Sequence, residues 1–457
     1  MFDQTFSPEN LKHIFYIENR KGRNLFKAFN DLILNSLLEE KQHLRKERNS
    51  ITKSFYGKLI DEDEFKKKLG DNRKMLNAND RSIDERLLDV FSVDEDIANF
   101  IKAQNDVFGQ KTDLNGKQIY FLKKNNALLS LILKKIQHDL KKLFKIVFGN
   151  RNDIVSQIKT ILKFKFPKYV YRYDIAGFYE SIDQGILFSK IEKNRRITNS
   201  TKQFIFELFC MLKKECGLIS GIPRGIGLSA FLSEIYMQDF DKNMKKIDEV
   251  LYYARYVDDI IIIARCEKGL KNIENIVAEE LKKLKLNLSL EEEKMSYHEH
   301  AKNLSYNFTF LGYKFLWNGG TLNIEMSLSR LNRYKEKVKK LIVCYGKDLK
   351  QNGKHSEKNA RKKLFKRLKF LTSNTRLSNS KSNAMVGIYY SNSHLTNPEK
   401  ILRGLDCYTL GMFKRNRLLN NDNTRLRFEN ISFTSGFVNR RFVKFDKNIL
   451  HNIHLSK

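Results

Sequence analysis

The stretch LYYARYVDDIIIIA, residues 251–264, constrains this chain more than any other. Four consecutive isoleucines, Ile260 to Ile263, read as a buried strand, and a dry strand excludes charge. Yet Asp258 and Asp259 stand directly before them. An unpaired carboxylate beside such a core carries a large desolvation cost or takes up a proton. The conflict is relieved if the aspartates occupy a hairpin turn, where the backbone can hold a carboxylate outward from the sheet edge.

A second carboxylate site lies upstream, in FKFPKYVYRYDIAGFYESID. Its aromatic and β-branched residues predict a strand ending near Asp174, followed by a helix through QGILFSKIEK capped by Ser181 or Asp183. If this strand neighbours the isoleucine strand, three carboxylates converge at one rim of a sheet. Like charges that close repel unless divalent cations occupy the gap. Mg²⁺ is held in this way by one or two carboxylates plus substrate phosphates. Two such ions about 4 Å apart can activate a 3′-hydroxyl and stabilise a leaving pyrophosphate.

The 457 residues suffice for two to four domains with a sizeable core, and 41% apolar and 12% aromatic content excludes a disordered chain. The first 150 residues read mostly helical. Residues 174 to 317 give the order β-α-α-β-β-α-β, one α+β sheet domain, with NFTFLGYKFLW as a strand ending at Trp317. SLSRLNRYKEKVKKLIVCY then predicts a helix. Leu328, Leu331, Tyr334, Val338, Leu341 and Tyr345 line one face, with Arg330, Arg333, Lys335, Lys337, Lys339 and Lys340 mostly off it. A second basic helix begins at Ser356, TSNTRLSNSKSN reads as a linker, and the role of the remaining C-terminal residues is open.

Charge points to a partner. With 85 Lys and Arg against 53 Asp and Glu, the formal charge is +32, which favours a polyanion such as nucleic acid. The five cysteines form no CxxC pair, which argues against a zinc ribbon or disulfide framework and for a reducing cytoplasm. The first residues carry neither the basic nor the apolar region of a signal peptide, and no apolar run reaches membrane-span length. His298 and His300, in SYHEHAK, have no metal-ligand spacing and read as a solvated turn.

Each motif alone is weak, since paired aspartates before an apolar run are usually just a turn. Together, DIAGFYESID, GIPRGIGLSAFLSEIYMQDFD, YVDD, LEEEK and FTFLGYKF occur in the order of the palm motifs of reverse transcriptases, and the chain resembles that family over about residues 140 to 345. The resemblance implies an α+β right-hand polymerase with helical fingers, an RRM-like antiparallel palm, a helical thumb and a C-terminal extension. The expected boundaries are 1–173 for the N-terminal helical region and fingers, 174–321 for the palm with a finger insertion near 185–220, 322–375 for the thumb and 376–457 for the extension. Carried over by position, Asp174, Asp258 and Asp259, with the Ile175 carbonyl, would hold two Mg²⁺ ions, Mn²⁺ being the alternative. Tyr179 matches the bulky residue that blocks a ribose 2′-hydroxyl, favouring dNTPs. Lys294 matches a lysine placed to protonate pyrophosphate, and equally fits a surface salt bridge. Phe310, Leu311, Gly312 and Tyr313 resemble the element that grips the primer end. Arg224 and Gly225 fall in the nucleotide-positioning loop, and Arg151, Lys165 and Arg172 are candidates for triphosphate contacts.

The loop departs from the family at Pro223-Arg224-Gly225, where Gln usually stands in place of Arg. Arginine is longer, charged and suited to phosphate or guanine edges. The departure, the helical N-terminus and the VGIYYSN region are similar to defence-associated and abortive-infection reverse transcriptases of bacteria. That group implies antiphage defence, with a bound non-coding RNA copied or a protein hydroxyl extended without template. The expected partners are therefore dNTPs, RNA and the DNA product, with a homo-oligomer or a second defence protein also compatible. A retron-like or domesticated intron enzyme, and a basic RNA-binding scaffold with a silent palm, remain as alternatives.

Overall fold

A computed structural model describes residues 3–21, 25–93, 96–113, 116–123, 126–164, 166–265, 270–289, 291, 295–301, 304–350, 356–376, 385–418 and 422–444. The chain divides into two compact units.

The first unit comprises Met1–Val147, Gly177–Asp239 and Lys283–Leu286. It is mainly helical, with a long hairpin formed by Leu32–Tyr56 and Glu62–Val90, each begun by an aspartate side chain accepting a backbone N–H. Its one sheet among the described residues is an antiparallel hairpin of β1 (Phe108–Thr112) and β2 (Gln118–Leu122), set in a region whose sequence reads as helical. At the end of the hairpin the Asp113 carboxylate accepts from the Lys117 N–H at 2.9 Å. Asp183, one of the two cap candidates, accepts from the Ile186 N–H and begins the helix Gln184–Lys193.

The second unit, Phe148–Ala176, Phe240–Lys282 and Asn287–Lys457, carries the main sheets. Strand β3 (Lys168–Asp174) lies between β5 (Asp259–Ala264) and β6 (Ser296–His300), and β4 (Val250–Tyr256) completes the order β4-β5-β3-β6, all antiparallel. Ile260, Ile261, Ile262 and Ile263 are all fully buried, as the run requires; each contributes about 1.5–3 kcal/mol by the area it removes from water. Alternation sends Val170, Ile261 and Ile263 into a core with Phe308, Phe315 and the helix Arg151–Lys163.

Four further features differ from the sequence reading. NFTFLGYKFLW is not one strand. It is a hairpin of β7 (Ser305–Phe310) and β8 (Tyr313–Asn318), extended by β9 (Thr321–Met326) into a second sheet. SYHEH is strand β6 rather than a solvated turn, and His300 is fully buried. The start of the supposed linker is also buried: Thr372, Ser373 and Asn374 are inside, and β10 (Asn374–Arg376) pairs with β11 (Met385–Gly387). The rest of that stretch lies outside the described residues. In the helix Leu328–Lys350, Val338, Leu341 and Tyr345 are buried as the pattern predicts, but Leu328 is exposed and Arg330 is buried.

Candidate functional site

The carboxylate rim is built by strand pairing. In the β3–β5 register Asp174 stands opposite Asp259, and the Ile175 N–H donates to the Asp258 carbonyl at 3.2 Å. On its other edge Ile175 is bridged to Leu288. There the Ala176 N–H donates to Asn287 O at 2.9 Å and the Ser289 N–H to Asp174 O at 2.7 Å. In extended backbone a residue's N–H and C=O share one edge. The Ile175 carbonyl therefore faces the Asp258 side, and the backbones of Asp174, Ile175, Asp258 and Asp259 lie together at one rim of the sheet. All three aspartates are half-buried, next to isoleucines from which solvent is excluded.

The turn that presents them is strained. Val257 adopts φ +63°, a left-handed conformation that a β-branched residue rarely takes. Arg255 steadies it by donating to the Val257 carbonyl at 3.0 Å, while its Nε and Nη2 clasp Asp241 at 2.8 and 2.7 Å.

The donor set suits a hard cation. Carboxylate and carbonyl oxygens are Mg²⁺ ligands, and Mg²⁺ commonly completes its shell from water and substrate phosphate. Among the described residues no group of three or more His, Cys, Asp or Glu side chains is arranged to hold a metal by itself.

The Phe310–Tyr313 segment forms a two-residue turn between β7 and β8, with Leu311 at φ +47° and Gly312 at φ +75°. Positive φ at both positions is the primed hairpin geometry, and Gly312 leaves room that a side chain would lack. A Cβ there would stand 2.9 Å from Arg151 Nη2. Arg151 donates from Nε to the Leu311 carbonyl at 2.8 Å, and its guanidinium lies 5.4 Å from the Tyr313 ring centroid. Arg330 approaches the same ring at 4.8 Å. Burial, with the nearby Arg330 charge, lowers the Arg151 pKa. Arg151 thus buttresses the turn. Arg172 is buried in mid-β3, two residues before Asp174 and on the same face. Lys165 and Lys294 lie outside the described residues.

In the first unit the GIPRG loop is pinned at both ends. The Ile222 N–H donates to Tyr179 O at 2.8 Å and the Tyr120 N–H to Arg224 O at 2.7 Å. Gly221 and Gly225 have φ +74° and +102°, and a Cβ on either would sit 2.5 Å from the Tyr179 or Tyr120 carbonyl oxygen. Arg224 donates to both Glu180 oxygens, at 3.0 and 3.1 Å, and lies over the Tyr179 ring at 5.0 Å. Burial works to raise the Glu180 pKa. The Arg224 bonds, backbone bonding and the charges of Arg224 and Lys117 outweigh it, so the carboxyl is held below its ordinary range. Glu180 and Arg224, with Lys117, Gln118 and Ser220, line a cavity of about 560 Å³. Sequence reasoning missed Glu180 and the β1–β2 hairpin. The Asn-Gly step between alternating residues 108–122 was the available signal for the hairpin.

Residues 113–315 match the family described as "Reverse transcriptase (RNA-dependent DNA polymerase)". No curated protein matches the sequence. Among solved structures, the apo telomerase of Candida tropicalis truncated from its C-terminal domain is 16% identical, with TM-score 0.35, over 59% of this chain and 73% of that one. The apo telomerase of Candida tropicalis is 14% identical, with TM-score 0.37, over 80% and 58%. Telomerase of Candida albicans in complex with a TWJ fragment of telomeric RNA is 11% identical, with TM-score 0.31, over 70% and 53%. The chain therefore spans under two thirds of the latter two.

Proposed function

We propose that this chain, whose residues 113–315 match the reverse transcriptase family, is an RNA-directed DNA polymerase of α+β right-hand architecture, and that the rim of Asp174, Asp258 and Asp259 is its catalytic centre. The carrying observation is the register that sets Asp174 opposite Asp259 and bonds Ile175 to Asp258. Asp174, Asp258 and the Ile175 carbonyl would hold Mg²⁺, with Asp259 beside them. When bound, Mg²⁺ supplies acidification of the attacking 3′-hydroxyl and charge neutralisation of the leaving pyrophosphate. The protein's own groups do the positioning: Tyr179 stands against a ribose 2′-hydroxyl, and the Phe310–Tyr313 turn holds the primer end. By the same resemblance Lys294 is the candidate proton donor for pyrophosphate, a surface salt bridge being its alternative role. On this reading the fingers comprise 1–173 and an insertion near 185–220, the palm the rest of 174–321, the thumb 322–375 and a C-terminal extension 376–457.

We place this polymerase in antiphage defence. Its support is the sequence resemblance to defence-associated enzymes, above all arginine in place of glutamine at position 224 and the VGIYYSN region. Its template is then a bound non-coding RNA, or synthesis is untemplated and begins on a protein hydroxyl. The test is incorporation of labelled dNTPs, singly and together, with Mg²⁺ and with or without an RNA template and primer, beside Asp258→Ala. Incorporation should fall at least about 100-fold in the variant. Absence of incorporation by the native protein under every template, including its co-purified RNA, would sink the reading. Single-nucleotide incorporation without template would select the protein-primed route, and phage challenge of cells carrying either version tests the defence role.

A further inference from the structure

We infer that Arg224, the residue that departs from the family pattern, sets sugar selectivity by clamping Tyr179 rather than by reading a template base. This deepens the proposed function, because it rests on Tyr179 being the residue that meets the ribose 2′-position.

The geometry is specific. Both ends of the arginine's anchorage are rigid: the Arg224 carbonyl accepts from Tyr120, and the preceding turn is tied to the Tyr179 carbonyl through Ile222. Neither Gly221 nor Gly225 can carry a side chain without colliding with those same backbones. From this fixed base the guanidinium makes two engagements at once. Its edge forms a two-point bond to Glu180, the residue after Tyr179, and its face covers the Tyr179 ring. A planar, delocalised cation can do both together, and neither lysine nor glutamine can.

The arrangement leaves the tyrosine ring between two constraints, its own backbone held by Ile222 and its face held by Arg224. A ring confined in this way excludes a 2′-hydroxyl by collision. A ring free to rotate about χ1 would yield to it. The neighbouring cavity, of nucleotide-compatible size and lined by both Glu180 and Arg224, puts the clamp at the wall of a space that a substrate can enter. Arg224 is therefore a positioning residue.

The measurement is the ratio of kcat/KM for a dNTP to that for the matching NTP. Arg224→Ala should lower the ratio about fivefold. Glu180→Gln should move it the same way by less, and Arg224→Lys should restore only part, since an ammonium keeps the ion pair but loses the flat stack. Arg224 and Glu180 are both partly exposed, so these variants should fold, and thermal midpoints will verify it. Tyr179→Val is run in parallel. If it leaves the ratio unchanged, the sugar-gate reading falls and takes the clamp with it. If Tyr179→Val lowers the ratio while Arg224→Ala and Glu180→Gln reduce dNTP and NTP use equally, the clamp alone is overturned.

Discussion

His300 illustrates how far a buried neighbour can move a single residue. It is fully buried in β6, opposite Lys168, with its ring 4.0 Å from that of Trp317, the chain's only tryptophan. Its Nδ1 is 2.7 Å from the Tyr306 hydroxyl, and His298 stacks on the same tyrosine at 4.8 Å. Burial first, and the Lys168 charge second, lower the His300 pKa from 6.5 to about 4. A folded-state pKa below the unfolded value means that the unfolded chain binds more protons between pH 6.5 and 4. Stability from this group is therefore present above pH 6.5 and lost as pH falls toward 4, by about 2–3 kcal/mol. Because protonated histidine quenches a contacting indole, Trp317 fluorescence should titrate near pH 4 in the folded protein. His300→Phe should abolish that titration and flatten the acid loss of stability in urea unfolding. A transition near pH 6.5 would show that His300 is solvated after all.

At the scale of elements, the β4–β5 turn trades stability for position. A left-handed β-branched residue costs about 1–2 kcal/mol, so Val257→Gly should relieve that strain. The extra freedom of glycine in the unfolded chain takes back part of the gain. The expected net change is about 0.5–1 kcal/mol of added stability, read as a raised unfolding midpoint. It should come with reduced dNTP incorporation, because the turn no longer fixes Asp258. A variant less stable than the native chain would mean that Val257 is not strained. This turn was legible in the sequence because charge and core collide there at one dipeptide. The Leu311–Gly312 turn was harder to read, since no proline or Asn-Gly step marks it. Its signal is the odd step from Phe310 to Tyr313, which breaks a period of two and puts both rings inside only if the chain reverses. The buried Thr372–Asn374 segment resembled a linker because its residues are polar. Their burial is offset by bonds that composition cannot show, such as Asn374 N–H to Arg441 O at 2.8 Å and Arg441 Nε to Ser373 Oγ at 2.9 Å. Arg224 could be singled out from sequence, but its Glu180 partner could not, because the pair spans 44 residues and depends on the loop's backbone path.

Across the whole molecule the dominant quantity is the +32 charge, and its use depends on which cations are already neutralised. In the helix Leu328–Lys350, Lys339 is paired with Glu336 at 2.7 Å and Arg330 is buried. Arg333, Lys337 and Lys340 are exposed and recur at i, i+4 and i+7, which aligns them along one side of the helix. Such a stripe matches the spacing of a phosphate backbone better than scattered charge does, and each phosphate it neutralises releases counterions. Replacing all three by alanine keeps helix propensity, so the fold should persist. In RNA-binding titrations over a range of salt, the slope of log affinity against log salt should become shallower by about 2–3. Asp258→Ala should leave that slope where it was, since it removes no cation. An unchanged slope in the triple variant would place the nucleic-acid contacts elsewhere. The thumb proposed for residues 322–375 would then lose its main physical support, while the proposed carboxylate rim, which rests on strand register, would stand.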